Sequence, residues 1–237
     1  MLKDIIDERL KKLTRLREAG IDPYPSITKR SSAIGQALKQ FSGLLRAGKK
    51  VSIAGRIVGW RDQGKLVFLD LRDATGQIQA ILKENALGDF NLWKQTLDRG
   101  DFISVSGKLL VTKKGEKSVD ASEVKVLSKG IRPIPTEWYG IEETETRLRK
   151  RYLDILLNNE TRDLFRKKMV FWETFRDYLK QEGFLEVENP VFESVPGGAD
   201  AEPFKTHHNA LDTDFYLRIA LELPLKKLLV AGYEKVF

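Results

Sequence analysis

The sequence predicts an α+β protein of two domains: a small five-stranded β-barrel preceded by helices, then a second unit that mixes helices and strands. Three observations predict it. Apolar residues recur at helical spacing at the front, switch to a period of two from residue 51 to about residue 127, and return to helical spacing after residue 146. Turn signals punctuate the middle stretch at intervals that suit short strands. A Pro-rich and then acidic stretch, GIRPIPTEWYGIEETET at 130–146, separates the two grammars as a linker.

Taken in order, residues 3–19 form a helix in which Ile5, Ile6, Leu10, Leu13 and Leu16 make the apolar stripe, and Gly20 stops it. Asp22-Pro23-Tyr24-Pro25 is a turn, and residues 32–48 read as a second helix. VSIAGRIVGW, KLVFLDLRD and QIQAILK then alternate as strands, with turns at 62–64 and 74–76. A helical insert falls at 89–97, and two further strands at 101–111 and 118–127 are joined by Lys113-Lys114-Gly115-Glu116. Five strands with a helix between the third and fourth is the order of an OB-fold barrel. Beyond the linker, 147–157 and 160–182 are helical. FLEVENPVF and FYLRIA are strands, 223–231 is a helix, and YEKVF reads as the entry of another strand. The domains are therefore a helical extension at 1–50, the barrel at 51–130, a linker at 131–146 and a second domain at 147–237.

Composition excludes several classes. The 237 residues are 41% hydrophobic and 32% charged, which suits packed cores and rules out a disordered chain. No apolar run reaches the ~18–20 residues of a membrane span. The absence of cysteine excludes disulfides, thiol catalysis and Cys-based zinc sites, and fits a cytoplasmic location. The net charge of +7 sits wholly in residues 1–50, where 12 Lys and Arg face 5 Asp and Glu. A basic front points to a polyanion, nucleic acid first, or else to a solvated helix face. His207 and His208 are adjacent and without a third ligand nearby, so they read as structural rather than as a metal site.

Several peptides carry a more specific signal: RPIP and GIEETETRLRKRYLD within 132–154, GFLEVENPVF at 183–192, PGGADAEPF at 196–204, THHNALD at 206–212 and YLRIALELPLKKLLVAGYEKVF at 216–237. In order and spacing they resemble the class II lysyl-tRNA synthetases. GKLVFLDLRDATGQIQ is shared with aspartyl- and asparaginyl-type enzymes, but those carry Thr-Pro-Glu-Gly where this chain has PGGADAEPF, so the resemblance chooses lysine. It implies a barrel that grips the anticodon of tRNA(Lys) and a second domain that activates lysine with ATP and Mg2+. It further implies a homodimer built through the first class motif, from the 160–182 helix to Pro190.

Residue roles follow from the same resemblance. Phe68 is the platform on which an anticodon base stacks, and alternation favours this because Val67 and Leu69 are the neighbours that face inward. Gln79 and Glu123 bond the edge of the central uridine. Arg61 and Lys65, on the first inter-strand loop, contact the nucleic-acid backbone, and Trp60 stands where such enzymes carry another basic or polar residue. Lys11, Lys12, Arg15 and Arg17 form a basic helix stripe for tRNA phosphates. Gly197 and Gly198 border the lysine pocket and permit close approach, and Glu222 bonds the substrate α-ammonium. Departures from the family pattern are Glu202, Leu221 and Pro224, the last acceptable within a first helical turn. His207 and His208 belong to a shoulder of that pocket beside Asn209 and Asp212.

The arginines and Mg2+ carboxylates of the second and third class motifs have no counterpart here, so this chain holds no catalytic or metal residue of its own. The expected function is that of a lysine–tRNA ligase, present as an N-terminal portion that does not form lysyl-adenylate alone. The alternative is a non-catalytic, synthetase-derived tRNA-binding or dimerising protein.

Overall fold

A computed structural model describes residues 2–135, 141 and 143–237. The chain divides into two compact units, residues 1–140 and 141–237, and each is described by itself. Part of the linker, residues 136–140 and 142, lies outside the described residues.

The first unit opens with α1 (Leu2–Glu18), which ends where Gly20 takes φ +74° and the Ile21 amide returns to the Leu16 carbonyl at 2.9 Å. Only part of the expected stripe is inside. Leu13 and Leu16 are buried together with Arg9, while Ile5 and Leu10 are exposed. The reason is electrostatic rather than hydrophobic. Arg9 donates to the carbonyls of Gly130 (2.9 Å) and Arg99 (3.0 Å), and Lys12 reaches Asp98 at 2.7 Å. The same carboxylate takes Lys129 at 2.5 Å, and Lys129 also reaches the fully buried Asp101 at 2.8 Å.

The helix expected at 32–48 is two, α2 (Ile34–Lys39) and α3 (Phe41–Ala47), broken at Gln40. Asp73 explains the position of α2. Its carboxylate accepts from the Ile34 amide at 2.9 Å while also accepting from Thr75 and Gly76 in the turn after the second strand. Burial works against that charge, but these hydrogen bonds prevail and hold the Asp73 carboxyl below its ordinary range.

The barrel is closed in the order β1-β2-β3-β5-β4, with β1 (Lys50–Asp62), β2 (Leu66–Arg72), β3 (Gln77–Lys83), β4 (Phe102–Val111) and β5 (Lys117–Ser128). All neighbours are antiparallel except β3 and β5. This is the OB-fold the alternation predicted. The inward positions, among them Ile53, Ile57, Leu69, Leu71, Leu82, Ile103, Val105 and Val126, are fully or almost fully buried. α4 (Phe90–Thr96) contributes Phe90 and Trp93 to the same core. Glycine is required at Gly107, beside a bulge between β4 and β5, because a Cβ there would sit 1.9 Å from the Asp120 carbonyl oxygen.

In the second unit, the helix expected at 147–157 is also two, α5 (Thr144–Arg149) and α6 (Arg151–Leu157). Asp154 joins them, taking Arg147 at 3.2 Å and Arg151 at 2.5 Å. Asn158 caps α7 (Asn159–Gln181) by accepting from the Glu160 amide, and Gly183 at φ +82° ends the segment. The strand expected in FLEVENPVF, halted at Pro190, is not found before that proline, which cannot donate to a ladder: β6 is Phe192–Glu193, beyond it. The preceding Leu185 bridges Val236 in parallel, so YEKVF does enter a strand pairing. The polar THHNALD yields β7 (Lys205–His208), and the FYLRIA strand is β8 (Thr213–Leu217). The sheet order is β6-β8-β7. α8 (Glu222–Val230) follows, with Pro224 inside its first turn.

Candidate functional site

Strand register decides which side chains share the outer face of the barrel. Phe68 stands opposite Arg61 on β1 and Ile81 on β3, and Asp70 stands opposite Gln79. Gln79 in turn faces Ser118 on β5. Phe68 is half-buried and points outward, while Val67 and Leu69 are completely buried inside. An aromatic ring is thus laid on the outer face of β2 with one side open to a flat ligand.

Around it the polar groups are fixed in place. Asp70 grips the Arg61 guanidinium with both oxygens, at 3.0 and 3.1 Å, which holds that plane beside Phe68. Gly59 makes room for this fork, since a Cβ there would lie 2.1 Å from Asp70 Oδ2. Gln79 is buried, and its Oε1 accepts from Ser118 Oγ at 2.9 Å, which leaves its NH2 end to donate to a ligand. Asp70, Gln77, Gln79, Glu116 and Lys117 line a hollow of about 340 Å³. The 62–65 loop is tied down: Lys94 from α4 reaches Asp62 at 2.9 Å and the Gly64 carbonyl at 2.9 Å. Lys94, by hydrogen bond and charge, and the Gly64 amide keep the Asp62 carboxyl below its ordinary range. Lys65 is exposed on that loop.

Three expected residues do not join this set. Trp60 lies opposite the buried Leu69 and packs against the core, because the bulge between Ile57 and Gly59 turns it to the inner side of β1. Glu123 lies opposite Ser106, five positions beyond Ser118, and pairs with Lys125 at 2.9 Å. It lines a different hollow of about 680 Å³ with Lys29, Ser52 and Ser104. Lys12 is spent on Asp98, whereas Lys11, Arg15 and Arg17 of the same stripe remain exposed. Glu116 is an acid that the sequence reading did not single out. It sits in the hollow beside Gln79, and the signal for it was the parallel pairing of β3 with β5, which no local pattern reveals.

In the second unit, Gly197, Gly198 and Glu222 do come together. A Cβ on Gly198, at φ +86°, would lie 3.0 Å from the Glu222 Cβ, and one on Gly197 would lie 2.6 Å from Leu223 Cδ1. Glu222 opens α8 and forms an ion pair with Lys226 one turn later. The carboxylate is exposed and already holds an ammonium group, the chemistry that a bound amino acid would bring. His207 does not face this group. Its Nδ1 meets Asp214 at 2.9 Å and its Nε2 meets Asp212 at 3.4 Å, within the β7–β8 hairpin. No group of three or more His, Asp or Glu side chains among the described residues could hold a metal ion.

Known proteins align with both units. Residues 51–127 match the family described as OB-fold nucleic acid binding domain, and residues 143–237 match tRNA synthetases class II (D, K and N). A lysine–tRNA ligase of Roseiflexus castenholzii is 46% identical over 239 residues, covering 100% of this chain and 49% of that protein. Similar proteins of the same name occur in Carboxydothermus hydrogenoformans, 44% identical over 100% of this chain and 48% of theirs, and in Clostridium botulinum, 41% identical over 99% and 46%. The chain spans about half the length of the curated relatives it matches.

Proposed function

We propose that this chain, whose two units match OB-fold nucleic acid binding domains and class II tRNA synthetases and which is similar throughout to lysine–tRNA ligases, supplies the anticodon grip and one wall of the lysine pocket of such an enzyme. The observation that carries the proposal is the outward row of Arg61, Phe68 and Ile81 beside the Gln79–Ser118 pair, where a ring and a polar hollow meet on one barrel face. An unstacked uridine lies on Phe68, takes the Gln79 NH2 on a carbonyl oxygen, and presents its imide N–H toward Glu116. Arg61 and Lys65 meet the backbone phosphates, with Lys11, Arg15 and Arg17 adding to the basic field.

In the whole enzyme the lysine carboxylate attacks the α-phosphorus of ATP and expels pyrophosphate, and the lysyl group then passes to a hydroxyl at the tRNA 3′ end with release of AMP. Glu222 takes the substrate α-ammonium in place of Lys226, and Gly197 and Gly198 leave room for it. ATP and Mg2+ supply the phosphate chemistry, but the residues described here offer no Mg2+ ligand set, so no step of this chain runs through the ion. The exposed apolar side of α7 takes a second copy of the chain, giving a homodimer. The place of work is the cytoplasm, and no helix of the described residues is long and apolar enough to cross a membrane.

The test is fluorescence anisotropy with a labelled anticodon stem–loop of tRNA(Lys) and one in which the central uridine is replaced by cytidine. The wild-type chain prefers the uridine form, and Phe68→Ala weakens that complex by roughly 1–3 kcal/mol. Equal binding of both stem–loops, unaltered by Phe68→Ala, sinks the reading.

A further inference from the structure

Two stretches of the first unit carry positive charge and no negative charge at all. Between Asp22 and Asp62 the sequence holds eight Lys and Arg and no Asp or Glu, and between Asp101 and Glu116 it holds Lys108, Lys113 and Lys114 and again no acid. The fold lays these two stretches side by side. β1 runs antiparallel to β4 with Lys50 directly opposite Lys108, and Lys49 adjoins Lys50. All three lysines are exposed. Like charges placed directly across a strand pair cost stability. The acid facing Lys108 on its other side is Asp120 of β5, and Lys83 takes that carboxylate at 2.8 Å. Among the described residues no ion pair relieves Lys49, Lys50 or Lys108. Arg46 nearby has a structural use, because it sits in the last turn of α3 at the negative end of that helix. The facing lysines have none. An anion seated on them would turn the repulsion into charge-assisted contacts.

The position names the anion. Gln79 on β3 faces Ser118 on β5, Ser118 faces Leu110 on β4, and β4 carries Lys108 opposite Lys50. Two to three strand-to-strand steps therefore separate the polar hollow from the lysine pair, roughly 10–15 Å along the surface. Lys117 marks the way between them: it lines the hollow with Gln79, and its ammonium lies over the Phe41 ring of α3, 5.2 Å from the centroid. α3 itself packs on β4. In the strand order the pair lies on the opposite side of Gln79 from Arg61. Building on the proposed function, we propose that Lys50 and Lys108, with Lys49 beside them, form a phosphate track for the RNA strand that leaves the base held at Phe68 and Gln79. The read base is then flanked by two cationic rims, and the track adds affinity without reading a base.

The full 237-residue chain tests this with the same two stem–loops, titrated across a range of KCl. Lys50→Gln and Lys108→Gln are each expected to weaken both RNAs alike, by roughly two- to fivefold, and to lower the salt-dependence slope by about one. Lys125→Gln, on β5 beside its partner Glu123, removes the same charge elsewhere on the barrel and is expected to leave the slope unchanged. Lys50→Glu separates binding from folding, because it sets an opposite charge against Lys108. Its melting temperature is expected to equal or exceed that of the wild type while RNA binding falls further than in Lys50→Gln. If both glutamine variants bind with unchanged affinity and slope, the track is wrong, and an acidic protein surface is the better occupant of the lysine pair. If Lys125→Gln lowers the slope as much as they do, net charge alone is being read and the track is wrong again. If uridine preference and its loss in Phe68→Ala persist in either case, only the track falls. If the wild-type chain binds neither stem–loop, the anticodon reading falls and the track with it.

Discussion

Every buried apolar side chain among the described residues lies between Leu13 and Val126, whereas α7 in the second unit exposes Leu164, Met169, Phe171, Trp172, Phe175 and Tyr178. The barrel unit closes its sheet, plugs it with α4 and locks α1 across it through buried charges. The second unit has the pieces of a fold without an apolar interior among its described residues. What it buries is polar: Asp154, Thr161 and Asn189. Its aromatic residues instead touch each other on the surface, with Phe171 and Trp172 edge-on at 5.4 Å and Trp172 and Phe175 at 6.3 Å. A closed barrel is complete because its alternating residues face one another. An amphipathic helix is complete only when something covers its apolar side.

The widest separation of the two units comes from cutting between them. Residues 1–135 produced alone are expected to melt in one cooperative transition. Residues 141–237 alone are expected to show helical circular dichroism without a cooperative melt, and to bind an apolar dye strongly. A sharp transition in 141–237 with no dye binding would erase the distinction, since its apolar side chains would then be covered by its own residues.

Single substitutions sharpen the same contrast. Lys129 has no exposed side-chain surface and serves Asp98 and Asp101 together. Lys129→Ala leaves the buried Asp101 uncompensated and is expected to cost the barrel roughly 3–5 kcal/mol in urea unfolding. Phe171→Ala on the exposed side of α7 is expected to change the stability of the unpaired chain, measured at a concentration too low for two copies to associate, by less than about 0.5 kcal/mol. Equal losses would mean that exposure is a poor guide to which apolar groups hold this chain together.

The difference between the units also explains what could be read from sequence. Alternation in β1 and β2 places each side chain on one of two faces, so the inward set of those strands and the outward Phe68 were both legible. Trp60 was misplaced because a bulge after Ile57 adds one residue and flips everything behind it. Glu123 lies away from Gln79, and Glu116 lies beside it, because the neighbour of Gln79 is fixed by the β3–β5 closure, a contact between segments distant in sequence. The helix breaks at Gln40 and Lys150 carry neither Gly nor Pro, so periodicity ran straight through them. Nothing in the local sequence of α1 sets Arg9 apart from its charged neighbours, yet it donates to three backbone carbonyls far along the chain. Gly197, Gly198 and Glu222 were singled out by motif, and the fold brings the Gly197–Gly198 turn against the start of α8.

The smallest effect is the response to acid, and it too separates the units. Asp73 has its carboxyl held low, burial being outweighed by hydrogen bonds from Thr75, Ile34 and Gly76. Its contribution is therefore fully present above the unfolded value near ~3.9 and is lost as pH falls through the lowered one. Asp98 behaves alike, with Lys12 and Lys129 overcoming its burial. Asp101 has the opposite sign. Burial raises its carboxyl despite Lys129, so its share is present at low pH and is lost as pH rises through the raised value. With Asp62 also held low, the first unit carries three carboxyls whose contributions are lost in acid and one, Asp101, of the opposite sign. Asp73→Asn is expected to cost about 1 kcal/mol at neutral pH and to flatten the acid limb of stability against pH. In the second unit, Glu186 is lowered by Lys180 and Arg176, and Asp214 by Lys205 and His207, but both carboxylates are open to solvent. Salt screens such pairs, so Glu186→Gln is expected to leave the melt of the full chain where it was. An unchanged acid limb in Asp73→Asn would show that this carboxylate, though tied to α2 and to the β2–β3 turn, holds the barrel no more firmly than an exposed ion pair holds the second unit.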